Sequence, residues 1–363
     1  MNDHIEQSTP PLPLRLEQRG RAGELLPIVL VNSLLNIITL LIYRFWGKTK
    51  IRQYLWRETY FMGEPLEYTG TGGELCKGFF AVFFLILLPL GIMSNLANIY
   101  LEPESPAYIT YNGAFYVLVF FLIGMAIYRA RRYRLSRTVW RGIRGGMAGS
   151  APQYALRYLF YLSCAVVTLG WAYPWMRRNL FVRIMNQTTF GDRSFRCTAT
   201  LAPLYKAFAP AWFAIVSVPA AIAATFWLTG TIAATFETGN LTPYALVLIV
   251  IMIAVLPFVL IVGLAYYRAR EFQHLAHCTS FMGLTFRMRA TFGSLILLGL
   301  ANFFIMVLTL GFGQPFTQLI IFRYFCTRLD IQGDLDPTWI AQSSAQAPTI
   351  GEGLADAFDL GAV

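Results

Sequence analysis

Seven apolar runs divide the chain: Leu25–Tyr43, Gly78–Ile99, Ala107–Tyr128, Tyr154–Trp175, Ala207–Leu228, Tyr244–Tyr267 and Ser294–Phe312. Each is about 19–24 residues long, and a helix rising ~1.5 Å per residue needs about 20 to cross the hydrocarbon of a bilayer. Arg157 is the one Asp, Glu, Lys or Arg inside any run, and it sits near an end, where it can snorkel. Membrane-spanning strands would be shorter and alternating, which excludes a β-barrel. Tyr43, Trp46, Tyr128, Tyr173, Trp175, Tyr266 and Tyr267 mark the run ends, as an interfacial belt does. The pattern predicts an all-α, polytopic transmembrane helical bundle with about seven hydrophobic segments.

Around this body (21–335) the composition predicts a flexible N-terminal tail over 1–20 and a flexible Ala/Ser/Gln-rich C-terminal tail over 336–363. The first run is longer than a signal-peptide core and leads into Tyr43-Arg44-Phe45-Trp46 instead of a small-residue cleavage site. The body repeats itself, in units of about 21–150, 151–291 and 292–335. Its first, fourth and seventh runs share a polar or aromatic residue seven positions before Thr-Leu: Asn32 and Thr39, Tyr161 and Thr168, Asn302 and Thr309. The third and sixth end Tyr128-Arg129-Ala130-Arg131 and Tyr267-Arg268-Ala269-Arg270. Thr-x-x-x-Gly recurs at Thr59/Gly63, Thr138/Gly142 and Thr279/Gly283, with a near variant at Thr188/Gly191.

Charge sharpens the picture and raises a difficulty. Only 13% of the 363 residues are charged and 56% are hydrophobic, about half the charge of a soluble domain. Of 29 Lys and Arg, six fall in 44–77, seven in 129–153, six in 174–206 and four in 266–291. The connections 100–106 and 229–243 hold none, only Glu102, Glu104 and Glu237. The positive-inside rule puts the basic segments in the cytoplasm and the acidic ones outside. Run 154–175 then separates two basic segments, which a single crossing cannot do. A re-entrant hairpin would satisfy the charges, but no Gly or Pro marks the middle of the run, so full spans are expected for 25–43, 154–175 and 294–312.

The stretches GELLPIVLVNSLLNIITLLIYRFWGKTKIRQYLWRETYFMGEPLEYTGTGGEL and TLGWAYPWMRRNLFVRIMNQTTFGDRSF resemble two copies of a pattern found in the bacterial inner-membrane family typified by YjgN. A third copy, TLGFGQPFTQLIIFRYFCTRLDIQGD, has a weaker basic run. The resemblance covers residues 20–335. It implies a bacterial inner (cytoplasmic) membrane location, no established activity and no catalytic residues.

The candidate chemistry is sparse. Asn32, Asn36, Thr39, Thr168, Asn302 and Thr309 are polar residues within runs, able to line a pathway or to bond neighbouring helices. No carboxylate lies inside a run, which weighs against an ion-coupled pump. Arg44, Lys48 and Arg52 recur every four residues, and Arg134, Arg137, Arg141 and Arg144 fall on one face of a continued helix. With Arg177 and Arg178 they form basic juxtamembrane helices suited to anionic lipid headgroups. Topology explains the net charge of +10, so nucleic acid is not an expected partner. His274, His277 and Cys278 share one helical turn, a weak metal candidate with no second cluster to complete it. H-E-x-x-H, G-x-S-x-G and a phosphate loop are absent, the five cysteines are unpatterned, and no cofactor is called for. The leading expectation is a transporter-like or channel-like bundle. The alternative is a membrane scaffold or a sensor of anionic lipid, and an intramembrane enzyme has the least support.

Overall fold

Each of the three runs that carry Thr-Leu stops at that dipeptide and turns back. In the computed structural model, which describes residues 14–228, 243–343 and 352–358, helix α1 (Ala22–Ile38) is followed by α2 (Arg44–Arg57). Likewise α5 (Ala151–Val167) precedes α6 (Tyr173–Gln187), and α9 (Phe292–Leu308) precedes α10 (Gln314–Arg328). The first helix of each pair has 17 residues, about 25 Å at the helical rise.

The threonine makes each turn. Thr39 Oγ1 donates to the Leu35 carbonyl at 2.7 Å and accepts from the Tyr43 N–H at 2.9 Å. Thr168 bonds Cys164 and Ala172 in the same way at 2.8 and 3.0 Å, and Thr309 bonds Ile305 and Gly313 at 2.6 and 2.7 Å. Leu169-Gly170 and Leu310-Gly311 then take left-handed backbone conformations, and in the first copy Leu41, at φ 69°, stands where the others have glycine. The second helix packs back along the first. Polar pairs thirty residues apart close the open ends: Tyr54 OH with Glu24 at 3.0 Å, Arg183 with Gln153 at 3.3 Å, and Tyr324 OH with Ser294 at 2.7 Å.

These runs are therefore hairpins, and the expectation of full spans is corrected. In run 154–175, where no Gly or Pro marks the middle, the turn lies at the end, at Leu169-Gly170, because the following helix α6 forms the return leg.

The Thr-x-x-x-Gly pattern marks a second junction, from helix to β-hairpin. Thr59, Thr138, Thr188 and Thr279 each donate to the carbonyl four residues back, closing the last helical turn at 2.7–2.9 Å. Two-residue loops follow. Met62-Gly63, Arg141-Gly142 and Met282-Gly283 all have positive φ, the combination that suits strand twist in a tight hairpin. The fourth loop is Gly191-Asp192, between the paired Phe190 and Arg193.

The result corrects the all-α expectation, since twelve short strands occur among the described residues. β1 (Leu16–Gln18), β2 (Thr59–Phe61) and β3 (Glu64–Pro65) pair in order. So do β4 (Glu67–Tyr68), β5 (Thr138–Trp140), β6 (Ile143–Met147), β7 (Thr188–Phe190) and β8 (Arg193–Ser194). β9 (Arg196–Cys197), β10 (Thr279–Phe281), β11 (Leu284–Met288) and β12 (Leu329–Gln332) complete the set. Single residues, Leu66 and Phe195, separate β3 from β4 and β8 from β9, and Arg15 bridges to Asp330. The three sheets thus follow one another in a circuit, joined by the chain at Leu66 and Phe195 and by the Arg15–Asp330 bridge. The circuit gathers all four basic segments at one end of the molecule, which removes the difficulty raised by run 154–175.

Helix α4 (Pro106–Arg137) ends at this circuit, so Arg141 lies in a turn and Arg144 in β6. The single helical face expected for Arg134, Arg137, Arg141 and Arg144 does not form, because the Thr138 hydroxyl caps the Arg134 carbonyl and the chain leaves as a strand. Among the described residues three helices are long and apolar enough to cross a membrane: α3 (Gly72–Tyr100), α4 and α7 (Ala202–Leu228). Helix α8 (Pro243–His277) packs along α7, and the acidic connection around Glu237 lies outside the described residues. Leu40, Leu169 and Leu310 at the hairpin tips are 86, 78 and 88% exposed, an apolar surface that a lipid phase covers and water does not.

Replacing Thr168 by Val removes both hydroxyl bonds of the middle hairpin. The expected cost is ~1–2 kcal/mol, read as a lower thermal midpoint of the purified protein in detergent; an unchanged midpoint would show that the turn forms without the hydroxyl.

Candidate functional site

The residues of most chemical interest meet between the first hairpin, the tip of the third and a short C-terminal helix, α11 (Gly353–Ala357). The four-residue spacing of Lys48 and Arg52 puts both on one side of α2. Glu352 and Asp356 have the same spacing, and the two pairs meet. The Arg52 guanidinium grips the Glu352 carboxylate with two bonds of 2.6 and 2.5 Å and also donates to Tyr68 OH at 3.1 Å. Lys48 Nζ bonds Asp356, and Arg134 Nε lies 4.0 Å from Glu352. Glu352 is 2% exposed and Arg52 5%, so neither charge would be tolerated alone.

Burial acts to raise the pKa of Glu352, but the hydrogen bonds and charge of Arg52 outweigh it and hold the carboxyl below its usual range. Burial likewise opposes the charge of Arg52, and Glu352 more than restores it, lifting the guanidinium above its usual value. Asp356 moves the other way: burial pushes it up, and the single Lys48 contact does not compensate. Residues 352–358, expected to belong to a flexible tail, are therefore packed against the body, held by the buried cations of α2 and α4. Of 336–343, also expected in that tail, Ile340 is buried with Phe281, Leu284 and Leu335.

Beside this ion pair lies a cavity of about 310 Å³ lined by Asn32, Asn36, Arg44, Lys48, Gln314 and Asp356 among others. Asn32 is 4% exposed, and its Nδ2 donates to the Gly47 carbonyl at 3.3 Å, which fixes which way the amide points. Its Oδ1 is buried with no partner, as are Asn36 Oδ1 and Asp356 Oδ2. Arg44 rests on the Phe45 and Phe79 rings, 4.9 and 4.7 Å from their centres. The pocket therefore brings cationic donors and orphaned acceptors to one cavity.

The remaining candidates lie elsewhere. Thr39, Thr168 and Thr309 form the hairpin turns, and Asn302, on α9 with a buried unpartnered Oδ1, does not line this pocket. Arg137 pairs with Glu74 and Arg141 with Glu64, both at 2.7 Å. Arg177 and Arg268 share the fully buried Glu271 at 2.8 and 2.7 Å, and Arg178 donates to the Ala199 carbonyl at 2.7 Å. His274 Nε2 is 3.0 Å from the Thr200 carbonyl oxygen and its ring nitrogens are 3.8–3.9 Å from Cys278 Sγ. Among the described residues no group of three or more His, Cys, Asp or Glu is placed to hold a metal ion. Glu352 and Asp356 are the site residues that sequence reasoning missed. Their spacing, matched to that of Lys48 and Arg52, was the available signal.

Comparison with known proteins places the chain in a family. The pattern described as "Bacterial protein of unknown function (DUF898)" matches residues 13–357. Inner membrane protein YjgN of Salmonella typhimurium is 34% identical over 76 residues, which are 21% of this chain and 19% of that protein. The match thus spans about a fifth of that relative. No solved structure matches the chain. With nearly its whole length matched, the chain belongs to the DUF898 family of bacterial proteins of unknown function.

Proposed function

We propose that this is a multi-pass inner-membrane protein that binds phospholipid headgroups between its hairpins, a sensor or handler of lipid. The observation that carries this reading is the orphaned Oδ1 of Asn32, a residue that lines the same cavity as Arg44 and Lys48. A buried acceptor without a partner costs ~1–3 kcal/mol unless a ligand donates to it. A phosphodiester bearing a hydroxyl or ammonium group supplies what each wall lacks: phosphate oxygens for the cations and a donor for Asn32. The setting fits, because the pocket sits at the base of the exposed apolar tip around Leu40 and Leu310, along which acyl chains would lie. Repetition of the hairpin fits as well: three basic-legged hairpins entering from one face, alternating with paired long helices. A transport route would need Asn32, Thr39, Asn302 and Thr309 along one aqueous path, whereas the threonine hydroxyls are engaged in turns.

The acidic helix α11 takes up charge from Arg52 and Lys48 at the edge of the pocket, so its docking and lipid binding are linked.

Four measurements test this reading. Asn32→Leu should weaken binding of phosphatidylglycerol to the full-length protein in nanodiscs about tenfold, equivalent to ~1.4 kcal/mol, with binding of a neutral diacylglycerol unchanged; equal affinity for wild type and variant would overturn it. Glu352→Gln leaves Arg52 buried and half-paired at a cost of roughly 3 kcal/mol, so α11 should undock and proteolysis between 344 and 351 should accelerate; cleavage at the wild-type rate would remove the docking role. The pH dependence follows from the shifts. Glu352, held low, stabilises docking above the ordinary glutamate range, and this is lost as pH falls through its folded value. Asp356, held high, protonates first and moderates the effect by relieving its own burial. Cleavage should therefore rise only as pH falls below the ordinary carboxylate range, and a rise already within that range would contradict the assignment. Cysteine labels placed in 174–206 and 266–291 should react from the same membrane face; labelling from opposite faces would end the hairpin reading.

A further inference from the structure

Beside the strands lies space that side chains do not fill. Two adjoining cavities, about 340 and 480 Å³, share Arg131, Met185, Phe195 and Phe286 as a common wall. The upper one lies against the strands and is lined by aromatic and aliphatic groups, Trp140 among them. The lower one reaches down between helices α6, α8 and α10, where Arg177 joins the wall. Apolar clefts of this size are the usual form of a small-molecule site.

One feature is out of character with an apolar chamber. Arg131 belongs to both cavities, and its Nε is buried with no partner. Its neighbours sharpen the imbalance. Arg137 and Arg141 have Glu74 and Glu64, Arg134 approaches Glu352, and Arg177 has Glu271. Among the described residues no carboxylate comes within ion-pair distance of Arg131. Arg134, one turn further along α4, adds charge of the same sign. A cation kept beside an apolar void at this cost calls for an anion within it.

The roof bears on access. Leu335 and Ile340, from the segment after β12, are 6 and 5% exposed and close the upper cavity. The segment is held to the hairpin turns by polar contacts: Gln342 to the Gly142 carbonyl at 2.8 Å, and Ala341 paired with Asp192 by two bonds of 3.0 Å.

We propose that this chamber binds a single-chain anionic amphiphile of the fatty-acid class, with its carboxylate on Arg131 and its hydrocarbon tail among Met185, Phe195 and Phe286. One uncompensated guanidinium matches one negative charge, which favours a carboxylate over a phosphate monoester. The site is separate from the headgroup pocket and stands without it.

Trp140 provides the readout. The full-length protein in nanodiscs is titrated with 12-bromododecanoate, whose bromine quenches a tryptophan it touches, and with 12-bromododecanol as the uncharged counterpart. Wild type should show a saturable quenching component with the acid that Trp140→Phe abolishes. Arg131→Gln should weaken that component at least tenfold and leave the response to the alcohol unchanged, while Arg131→Lys retains part of it. Met185→Trp, which fills the shared wall and keeps Arg131, should block uptake and covers the case in which the glutamine variant fails to fold. Asn32→Leu should have no effect here, so failure of this site and failure of the headgroup pocket are distinguishable. Non-saturable quenching, or equal affinity of wild type and Arg131→Gln for the acid, would overturn the proposal.

Discussion

A chain that turns round in an apolar setting must satisfy its own backbone there, because no water is present to do it. The threonine at the end of each hairpin's first helix answers that constraint. Its hydroxyl donates to a carbonyl one turn back and accepts from an N–H four residues ahead, so the reversal leaves few polar groups for lipid to cover. Everything on the basic side depends on this turn. If the first legs ran straight on, α2, α6 and α10 would be carried to the opposite face, and the strands that follow them could not meet in one circuit.

Charge compensation organises that basic face in turn. Carboxylates are scarce, and the structure places them against particular cations: Glu74 on Arg137, Glu271 between Arg177 and Arg268, and Glu352 on Arg52. The pairing of Glu352 with Arg52 spans 300 residues of sequence and ties the end of the chain to its beginning. Where compensation stops, at Arg131 and at the orphaned oxygens of Asn32 and Asn36, the molecule keeps cavities. Unmatched polar groups and open space coincide at both places.

The strand circuit explains why the loops are built so alike. A two-residue hairpin with positive φ in both central residues favours Gly in the second position, and Gly63, Gly142 and Gly283 supply it. Strands of two to five residues have little stability singly. Linked along the chain at Leu66 and Phe195 and by the bridge from Arg15 to Asp330, they hold together the helix ends on that side of the molecule.

Membrane class and family were legible in the residues, since long charge-free runs and the quoted stretches between residues 23 and 334 are local properties of the chain. Thr39, Thr168 and Thr309 were singled out by their recurrence, and so was Thr-x-x-x-Gly, but recurrence does not say what a residue does. A threonine in an apolar run reads equally as interhelical glue or as a turn until its partners are known. Strands this short carry no periodicity, so the circuit was invisible to pattern. The closure of the acidic C-terminal helix on α2 was hidden for another reason: composition describes a segment by itself, whereas burial of Glu352 is decided by a cation 300 residues away. Hydropathy, which sums local transfer energies, thus determined where the chain meets lipid; pairing of strands and charges distant in sequence, which only the folded molecule brings within reach, decided which way it turns there and what the two cavities lack.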